Sequence, residues 1–252
     1  MANSDNSHSK ISKSALAIFC RAPRLGQVKT RLAQTHGDEF ALGLYRAMLA
    51  DTFDLGRALA PEIETFACFS PRDGFEGDDS LAELWDGPKI AQCEGDLGAR
   101  MLGCFADLRA LGYEKIVLIG SDSPDLPLKR LKKSFENLQN DKLVIGRAHD
   151  GGFYLIGASE PVPSWLFQHI DWSGPQATGY LPTTTPSVQI ISNLRGRGII
   201  GKQNLSGDAA FLSHFPYWRD VDDAEDLKEL KRRLFEVGTH APHTREFLAD
   251  DY

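Results

Sequence analysis

An apolar segment that ends abruptly in acidic residues is the feature that most constrains the fold of this chain. Residues 116–119 read Ile-Val-Leu-Ile, and Gly-Ser-Asp-Ser-Pro-Asp-Leu follows at residues 120–126. An unbroken, largely β-branched run predicts a strand that is buried on both faces, as in a parallel sheet. Ligands of open α/β sheets bind outside the carboxyl ends of the strands. Asp122 is therefore predicted to lie where a ligand binds.

The residues around Asp122 allow two interpretations. Gly120 lets the backbone come close to a ligand, and Pro124 prevents the strand from continuing. A carboxylate held there suits a hard divalent cation, which usually accompanies a phosphate group. The alternative is that Asp122 and Asp125 only cap the next helix. This segment by itself leaves both interpretations open.

Strand-like and helix-like segments alternate along the first half of the chain, which predicts a layered α/β fold. Strands are expected at residues 15–20, 63–69, 90–93, 115–120, 143–146, 151–157, 188–191 and 218–221. Helices are expected at residues 29–35, 38–59, 81–85, 97–111, 128–139, 161–169 and 224–237. No repeat or linker is visible. We therefore expect one domain over residues 14–237, a disordered tail at residues 1–13 and a loosely docked tail at residues 238–252.

Composition narrows the classes of function. The chain has 252 residues and 42% hydrophobic content. Its net charge of −7 argues against a general nucleic-acid-binding surface. No segment has the apolar length of a membrane span, and the polar N-terminus lacks the apolar core of a signal peptide. The four cysteines show no CxxC spacing, so free thiols and a cytoplasmic location are expected.

The loop after the first strand is rich in positive charge. Its cationic residues are Arg21, Arg24, Lys29 and Arg31. Backbone N–H groups at a helix start favour an anion there, and Lys29 and Arg31 could add phosphate contacts. The Gly-Lys-Ser/Thr ending of a Walker loop is absent. A solvated basic loop is the alternative, but such a cluster is less expected in an acidic protein, so anion binding is favoured.

A second candidate segment spans residues 92–101, QCEGDLGARM. Asp96 is placed to cap the helix that follows, which is the favoured role from the residues alone. Gly95 and Gly98 would let the start of that helix approach a ligand. Arg100, on the first turn, could face either the site or the solvent.

A third segment, residues 146–154, places Asp150 before two glycines at a strand end. Asp-Gly is a common hairpin turn, and this competes with a role in ligand binding. In the functional interpretation Gly151 and Gly152 make room for a bulky ligand that Asp150 holds. His149 could act as a base, although a lone histidine is more often structural.

A fourth segment carries the pattern Asp-Val-Asp-Asp at residues 220–223. Alternation along the expected strand would point Asp220 and Asp222 the same way, so that one of them can join Asp122 at a metal ion. Two carboxylates repel each other unless a cation such as Mg²⁺ or Mn²⁺ removes that cost. The acids from Asp223 onward also suit the first turn of a helix.

These segments, in this order, resemble the bacterial radical-SAM/selenodomain-associated glycosyltransferase-like family, some members of which are linked to arsenosugar biosynthesis. It belongs to the GT-A, nucleotide-diphospho-sugar transferase superfamily. The matching stretches are FCRAPRLGQVKTRL (19–32), QCEGDLGARM (92–101), LIGSDSPDL (118–126), DGGFYLIG (150–157), IDWS (170–173) and DVDDAEDL (220–227). The combined pattern is far more specific than any one motif.

The resemblance implies a Rossmann-like, mostly parallel mixed sheet with helices on both faces. It implies that Asp122 and Asp222 hold Mg²⁺ or Mn²⁺, and that Lys29 contacts phosphate. Asp122, Asp150 and Lys29 are then the expected catalytic residues. The expected nucleotide contacts are Arg21, Ala22, Pro23, Gly26, Lys29, Arg31, Gln92, Gly95, Asp96, Arg100 and Ser121. The expected donor-sugar or acceptor contacts are His149, Asp150, Gly151 and Gly152.

Two positions depart from the family pattern, Arg147 in place of proline and Asp223 in place of threonine. Neither removes an expected ligand, but Arg147 would alter contacts on the acceptor side. The implied function is metal-dependent transfer of a sugar from a nucleotide sugar to a small-molecule acceptor. A nucleotidyltransferase that releases pyrophosphate from an NTP is the alternative. A third possibility is a non-catalytic regulator that binds a nucleotide. The presence of Asp122, Asp150 and Asp222 argues against it, because a protein that had lost catalysis would not need these acids.

Overall fold

A seven-stranded sheet forms the centre of the computed structural model, which describes residues 13–77, 81–170, 172, 186–197 and 212–249. Its strands lie in the order β3-β2-β1-β4-β6-β5-β7. They are β1 (Ser14–Arg21), β2 (Ile63–Ser70), β3 (Lys89–Ala91), β4 (Lys115–Gly120), β5 (Leu143–Ala148), β6 (Phe153–Ala158) and β7 (Leu212–Trp218). The mixed, mostly parallel α/β fold expected from the sequence is confirmed.

Strand direction places several polar loops at one edge of the sheet. β1 pairs in parallel with β2 and β4, and β5 pairs in parallel with β7. Among the described strands only β6 runs antiparallel, and it lies between β4 and β5. The carboxyl ends of β1, β2, β4, β5 and β7 therefore lie at the same edge, together with the start of β6.

Helices cover both faces of the sheet. They are α1 (Thr30–His36), α2 (Asp38–Arg57), α3 (Leu97–Ala110), α4 (Leu128–Asn137), α5 (Pro186–Gly196), α6 (Ala224–Arg232) and α7 (Pro242–Ala249). The central strand β4 shows why two layers form. Ile116 and Leu118 pack into the apolar cluster under α3 and α5, whereas Val117 and Ile119 pack into the cluster under α2 and α4. Burial on both faces accounts for the unbroken apolar run of this strand.

A third apolar cluster joins α1, α2, α6 and α7 beside the sheet. Leu248 of α7 is fully buried there together with Met48 of α2. The carboxylate of Asp51 accepts hydrogen bonds from the backbone N–H groups of His243 (3.0 Å) and Thr244 (2.8 Å) at the start of α7. The expectation of a loosely docked tail is therefore wrong for residues 242–249, because an apolar face and a cap fix this helix.

Three other expectations differ from the structure. Residues 188–191 lie inside α5 rather than in a strand, since Ile190 and Leu194 recur at helical spacing and are buried. The late strand covers 212–218, not 218–221, so Asp220 and Asp222 lie in the loop after β7. Residues 81–85 form turns instead of a short helix.

Cys20, Cys68, Cys93 and Cys104 are free thiols, as expected. No helix among the described residues is both long enough and apolar enough to cross a bilayer. Some of the expectations fall outside the described residues. These are residues 1–12 of the tail expected at residues 1–13, positions 171 and 173 of the IDWS segment, and residues 250–252.

Candidate functional site

Lys29 forms the centre of a charged cluster at the carboxyl edge of the sheet. It precedes α1, in a left-handed conformation with φ 47°. Its Nζ atom lies 2.5 Å from Oδ1 of Asp122 and 3.0 Å from Oδ1 of Asp222. The loops after β1, β4 and β7 each supply one of these side chains. The two acids predicted to share a cation are therefore brought together, and both bind the same ammonium group.

The charges of this cluster support one another. Burial would lower the pKa of Lys29, but the carboxylates of Asp122 and Asp222 outweigh burial and raise the pKa above its usual value. The Lys29 ammonium in turn holds the pKa of Asp222 below its usual range against the effect of burial. Lys29 is therefore protonated and Asp222 ionised at neutral pH.

Main-chain and side-chain bonds hold the loop after β4 to the loop after β7 and to the residue that follows α6. The backbone N–H of Val221 donates to the carbonyl oxygen of Asp122 at 2.9 Å. Asp125 accepts two hydrogen bonds from the buried guanidinium of Arg233, at 2.7 and 3.1 Å. The alternative that Asp122 and Asp125 cap the next helix is wrong. The N-cap of α4 is Pro127, and it has no side-chain cap bond.

Arg31 binds the start of α6 rather than standing free in the basic loop. Its Nη2 atom donates to Oδ2 of Asp223 at 2.6 Å, and Nη1 lies 4.0 Å from Asp222. Asp223 is also the N-cap of α6 and forms a capping box with Asp226. The acid that departs from the family pattern thus has two structural partners.

A cleft of about 500 Å³ opens beside this cluster. An adjoining cavity of about 570 Å³ shares five lining residues with it. Eight residues that the sequence predicted as nucleotide or metal contacts line the cleft: Arg21, Lys29, Arg31, Gln92, Arg100, Ser121, Asp122 and Asp222. Ala22 lines the adjoining cavity.

Four further predicted nucleotide contacts, Pro23, Gly26, Gly95 and Asp96, are not among the lining residues of either space. The Asp96 carboxylate accepts the N–H of Ala99 at 2.8 Å and caps α3, which confirms the capping interpretation. Gly26 and Gly95 have φ values of +69° and +118°. Both glycines shape the loops by conformations that side chains disfavour.

Tyr45 of α2 is a site residue that the sequence did not single out. Its hydroxyl oxygen accepts the backbone N–H of Arg21 at 2.8 Å and lies 3.3 Å from Oγ of Ser121. Burial raises the pKa of this phenol, so it stays protonated. Helical spacing alone could not reveal this role, because its partners lie 24 and 76 positions away.

Asp150 and its glycines occupy the turn that joins β5 and β6. The two strands are antiparallel, Gly151 has a φ of +93°, and Asp150 accepts the N–H of Gly152 at 2.8 Å. The hairpin interpretation is therefore confirmed. The His149 ring lies beside that of Tyr217, tilted by 39° and with ring centroids 5.4 Å apart. Burial and the nearby Arg219 lower the pKa of His149, so its imidazole is neutral at neutral pH.

Asp220 lies close to Asp150 of the turn and to the two acids that bind Lys29. Burial and the charges of Asp150, Asp222 and Asp122 raise its pKa well above the usual range. The sequence marked Asp220 only as one of two acids on an expected strand. Its position in a loop beside three other acids could not be read from strand alternation.

A family model matches part of this chain, and solved structures of the same fold cover most of it. Residues 57–174 match the family described as "Uncharacterized protein conserved in bacteria (DUF2064)". That segment includes Asp122 and Asp150 but not Lys29 or Asp222. No curated protein matches the chain significantly.

One similar solved structure is the "putative nucleotide-diphospho-sugar transferase from Desulfovibrio desulfuricans G20". It is 28% identical, covers 95% of both chains and has a TM-score of 0.79. CMP:2-keto-3-deoxy-manno-octonic acid synthetase complexed with CTP is 11% identical with a TM-score of 0.52, over 90% of this chain and 99% of that one. A nucleotidyl transferase from Methanothermobacter thermautotroptrophicus is 13% identical with a TM-score of 0.52, over 89% and 99%. The last two matches show a shared fold.

Proposed function

We propose that this chain is a metal-dependent transferase that moves a sugar from a nucleotide-sugar donor to a small-molecule acceptor. The observation that carries this proposal is the convergence of Asp122 and Asp222 on one cationic nitrogen at the mouth of the cleft. The similarity to the 28% identical structure, described as a nucleotide-diphospho-sugar transferase, supports the same reaction class.

The two carboxylates fit a divalent cation. Their Oδ1 atoms reach a common point, and their side chains are 41% and 42% exposed, so both can be approached from the cleft. Among the residues that the structure describes, no group of three histidine, cysteine or acidic side chains is arranged to hold an ion. Water and phosphate oxygens would complete the coordination, which is the usual arrangement for Mg²⁺. When bound, the cation would neutralise charge on the departing diphosphate.

The cationic side chains of the cleft would bind the diphosphate. Arg21 and Arg100 line both the cleft and the adjoining cavity, and Lys29, which binds the two acids, lines the cleft. Guanidinium groups suit phosphate oxygens because they donate two parallel hydrogen bonds. The amide of Gln92 donates to the carbonyl oxygen of Cys68 at 2.9 Å. Gln92 would thus hold the wall of the cleft rather than move with the ligand.

The turn between β5 and β6 would face the sugar and the acceptor. Asp150 accepts a bond from its own turn through Oδ1, which fixes the carboxylate for a second contact through Oδ2. His149 is neutral at neutral pH and could accept the proton of an acceptor hydroxyl. A side chain at Gly152 would press on the Asp150 carboxylate, because its Cβ would lie 3.1 Å from Oδ1. The links to radical-SAM enzymes and arsenosugar synthesis, and the cytoplasmic location, stay predictions.

A nucleotidyltransferase is the second candidate. The observation in its favour is the number of cationic groups around the cleft, since Arg21, Lys29 and Arg100 suit a triphosphate as well as a diphosphate. In that reaction the acceptor would attack the α-phosphate and pyrophosphate would leave.

The test is a thermal-shift panel of UDP-, GDP-, ADP-, CDP- and TDP-sugars and the NTPs, each with and without Mn²⁺ or Mg²⁺. Stabilisation by one nucleotide sugar that depends on the metal and is lost in Asp122→Asn supports sugar transfer and identifies the base. Stabilisation by an NTP alone, with pyrophosphate released when acceptors are added, supports the second candidate. Binding without turnover of any donor would indicate a regulator. No shift with any of them overturns the site.

A further inference from the structure

The position between Asp122 and Asp222 is filled by a cation that belongs to the chain itself. We propose that Lys29 is an exchangeable occupant of this position, which moves onto the phosphates of the nucleotide when a divalent cation binds the two acids. Cation and nucleotide would then bind together, and either one alone would bind weakly. This inference rests on the proposed function, because it assigns the phosphates of that donor as the second partner of Lys29.

Geometry makes the two cations mutually exclusive. The Lys29 Nζ atom is 2.5 Å from one Oδ1 and 3.0 Å from the other. A divalent ion that binds the same two oxygens needs distances of about 2.0–2.6 Å. An ion that satisfied both distances would overlap the ammonium group or lie against it with like charge, which is unfavourable. Lys29 must therefore leave the carboxylates when such an ion binds.

Leaving the carboxylates is unfavourable without a new anionic partner. The side chain of Lys29 is only 5% exposed, so an ammonium group that lost both acids would be charged, buried and unpaired. Lys29 is nevertheless one of the residues that line the cleft, together with Arg21 and Arg31. Phosphate oxygens in the cleft would supply the partner that Lys29 loses.

The reverse argument holds for a nucleotide that arrives without a cation. If its phosphates attract Lys29, Asp122 and Asp222 lose their shared partner and face additional negative charge. Only the joint arrival of cation and phosphates leaves every charge paired. Each ligand therefore raises the affinity for the other, and by linkage the factor is the same in both directions.

Arg31 offers a matched control for loss of positive charge. It lies two positions from Lys29, but its guanidinium is bound to Asp223 at 2.6 Å and is 4.0 Å from Asp222. Arg31→Met removes the same charge from the same loop and leaves the cation position filled by Lys29. Lys29→Met removes the charge and leaves the position between the two acids without a cation. Methionine is close to lysine in length, so the packing changes little.

The experiment titrates Mn²⁺ into wild type, Lys29→Met and Arg31→Met without nucleotide, and measures free Mn²⁺ by electron paramagnetic resonance. We expect Lys29→Met to bind Mn²⁺ about tenfold tighter than wild type, within the usual range of coupling between sites. Arg31→Met is expected to change the affinity much less. Equal affinity of Lys29→Met and wild type would overturn the proposal, and so would an equal gain in both variants.

The second arm repeats the titration with UDP, GDP, ADP and CDP. In wild type, the diphosphate that binds should raise Mn²⁺ affinity about tenfold, and in Lys29→Met the gain should be clearly smaller, because only direct coordination by the phosphate oxygens remains. A gain of equal size in both proteins contradicts the exchange. If no diphosphate binds any protein, the proposed function fails, while the arm with Mn²⁺ alone still decides whether Lys29 competes with the cation.

A measurement on wild type covers the case in which Lys29→Met does not fold. Lysine side chains labelled with ¹⁵N give an ammonium signal for a buried, ion-paired group that exchanges slowly with solvent. At a Mg²⁺ concentration that saturates the site only when the binding diphosphate is present, Mg²⁺ alone should leave the Lys29 signal in place, and Mg²⁺ with the diphosphate should shift it. A full response to that concentration of Mg²⁺ alone, or no response although both ligands bind, rules out the exchange.

Discussion

The backbone N–H of Val221 donates to the carbonyl oxygen of Asp122 across 2.9 Å. This bond joins the loop after β4 to the loop after β7, so the two acids that we assign to the cation are held in place by the main chain. Their side chains can therefore be changed without releasing the loops.

Asp122→Asn and Asp222→Asn are expected to fold normally and to lose metal-dependent binding of the donor. A bound cation contributes several kcal/mol to the stabilisation of transition-state charge, so transfer should slow by about 100-fold or more. The measurement is the rate of transfer or donor hydrolysis at saturating Mn²⁺. Asp73→Asn is the control, since this acid pairs with Arg24 at 3.0 Å and lines the adjoining cavity but not the cleft that holds Asp122 and Asp222. Retained metal dependence in either variant would show that the cation lies elsewhere.

The buried pair of Asp125 and Arg233 should be a main support of the acidic loop after β4. Arg233→Met leaves a carboxylate whose side chain is fully buried without a partner, and we expect a loss of about 3–5 kcal/mol in the free energy of unfolding. Replacing both residues, as in the double variant Asp125→Leu with Arg233→Met, should recover most of this loss. Urea unfolding measures both. Equal losses in the single and double variants would mean that packing, rather than an unpaired charge, dominates.

Tyr45→Phe should lower the stability of the fold, because the Tyr45 hydroxyl holds the backbone at Arg21, where the basic loop begins. The substitution leaves the N–H of Arg21 without its acceptor in a partly buried position, which costs about 1 kcal/mol. Chemical denaturation gives the stability, and nucleotide titration gives the effect on the cleft. Tyr217→Phe serves as the comparison because this ring is 37% exposed, and it should change stability by about 0.5 kcal/mol or less. Similar values for the two variants would contradict the role of the Tyr45 hydroxyl.

Asp51→Ala should loosen α7 from α2. The carboxylate accepts the N–H groups of His243 and Thr244, and loss of such a cap costs about 0.5–2 kcal/mol. Hydrogen exchange should show faster exchange of the amides in residues 242–249, while the central strands keep their protection. Glu62→Ala, an exposed acid before β2, is the control. Unchanged exchange in α7 would indicate that Leu248 and its apolar neighbours hold the helix without the cap.

His149 should titrate below 6.5, the usual pKa of histidine. In the window between its lowered pKa and about 6.5, the unfolded chain binds more protons than the folded one. The contribution of His149 to stability therefore rises with pH through that window and is constant above it. A ¹H–¹⁵N NMR titration of the imidazole measures the midpoint. Arg219→Ala should raise it, whereas the distant Arg46→Ala should not. A midpoint at or above 6.5 in wild type contradicts the prediction.

The sequence predicted the central strand and the acid after it because both depend on local rules. A run of four apolar residues that stops at Gly-Ser-Asp can hardly be other than a buried strand with an acid at its end. The same rules failed at residues 188–191, where a short apolar run fits a helix as well as a strand. They also failed at residues 218–221, where the apolar residues belong to the end of β7 and to the loop beyond it.

Contacts between distant residues could not be predicted. Arg233 pairs with Asp125 across 108 positions, and Lys29 reaches Asp222 across 193. No local pattern marks Arg233 as a buried cation, because it directly follows Lys231 and Arg232 at the end of a charged helix. The sequence placed Lys29, Asp122 and Asp222 at strand ends, but only the folded sheet shows that all three meet at one point.

Because the ribosome makes the chain from its N-terminus, the residues of the cluster and the strands of the sheet become available in a fixed order. Lys29 and Asp122 leave the ribosome while the second carboxylate has yet to be translated, and β5 has no β7 to pair with. A partly made chain offers a free metal ion a single carboxylate, which is a weak ligand. The proposed cation site would therefore form only after translation has passed Asp222 and β7 has paired with β5.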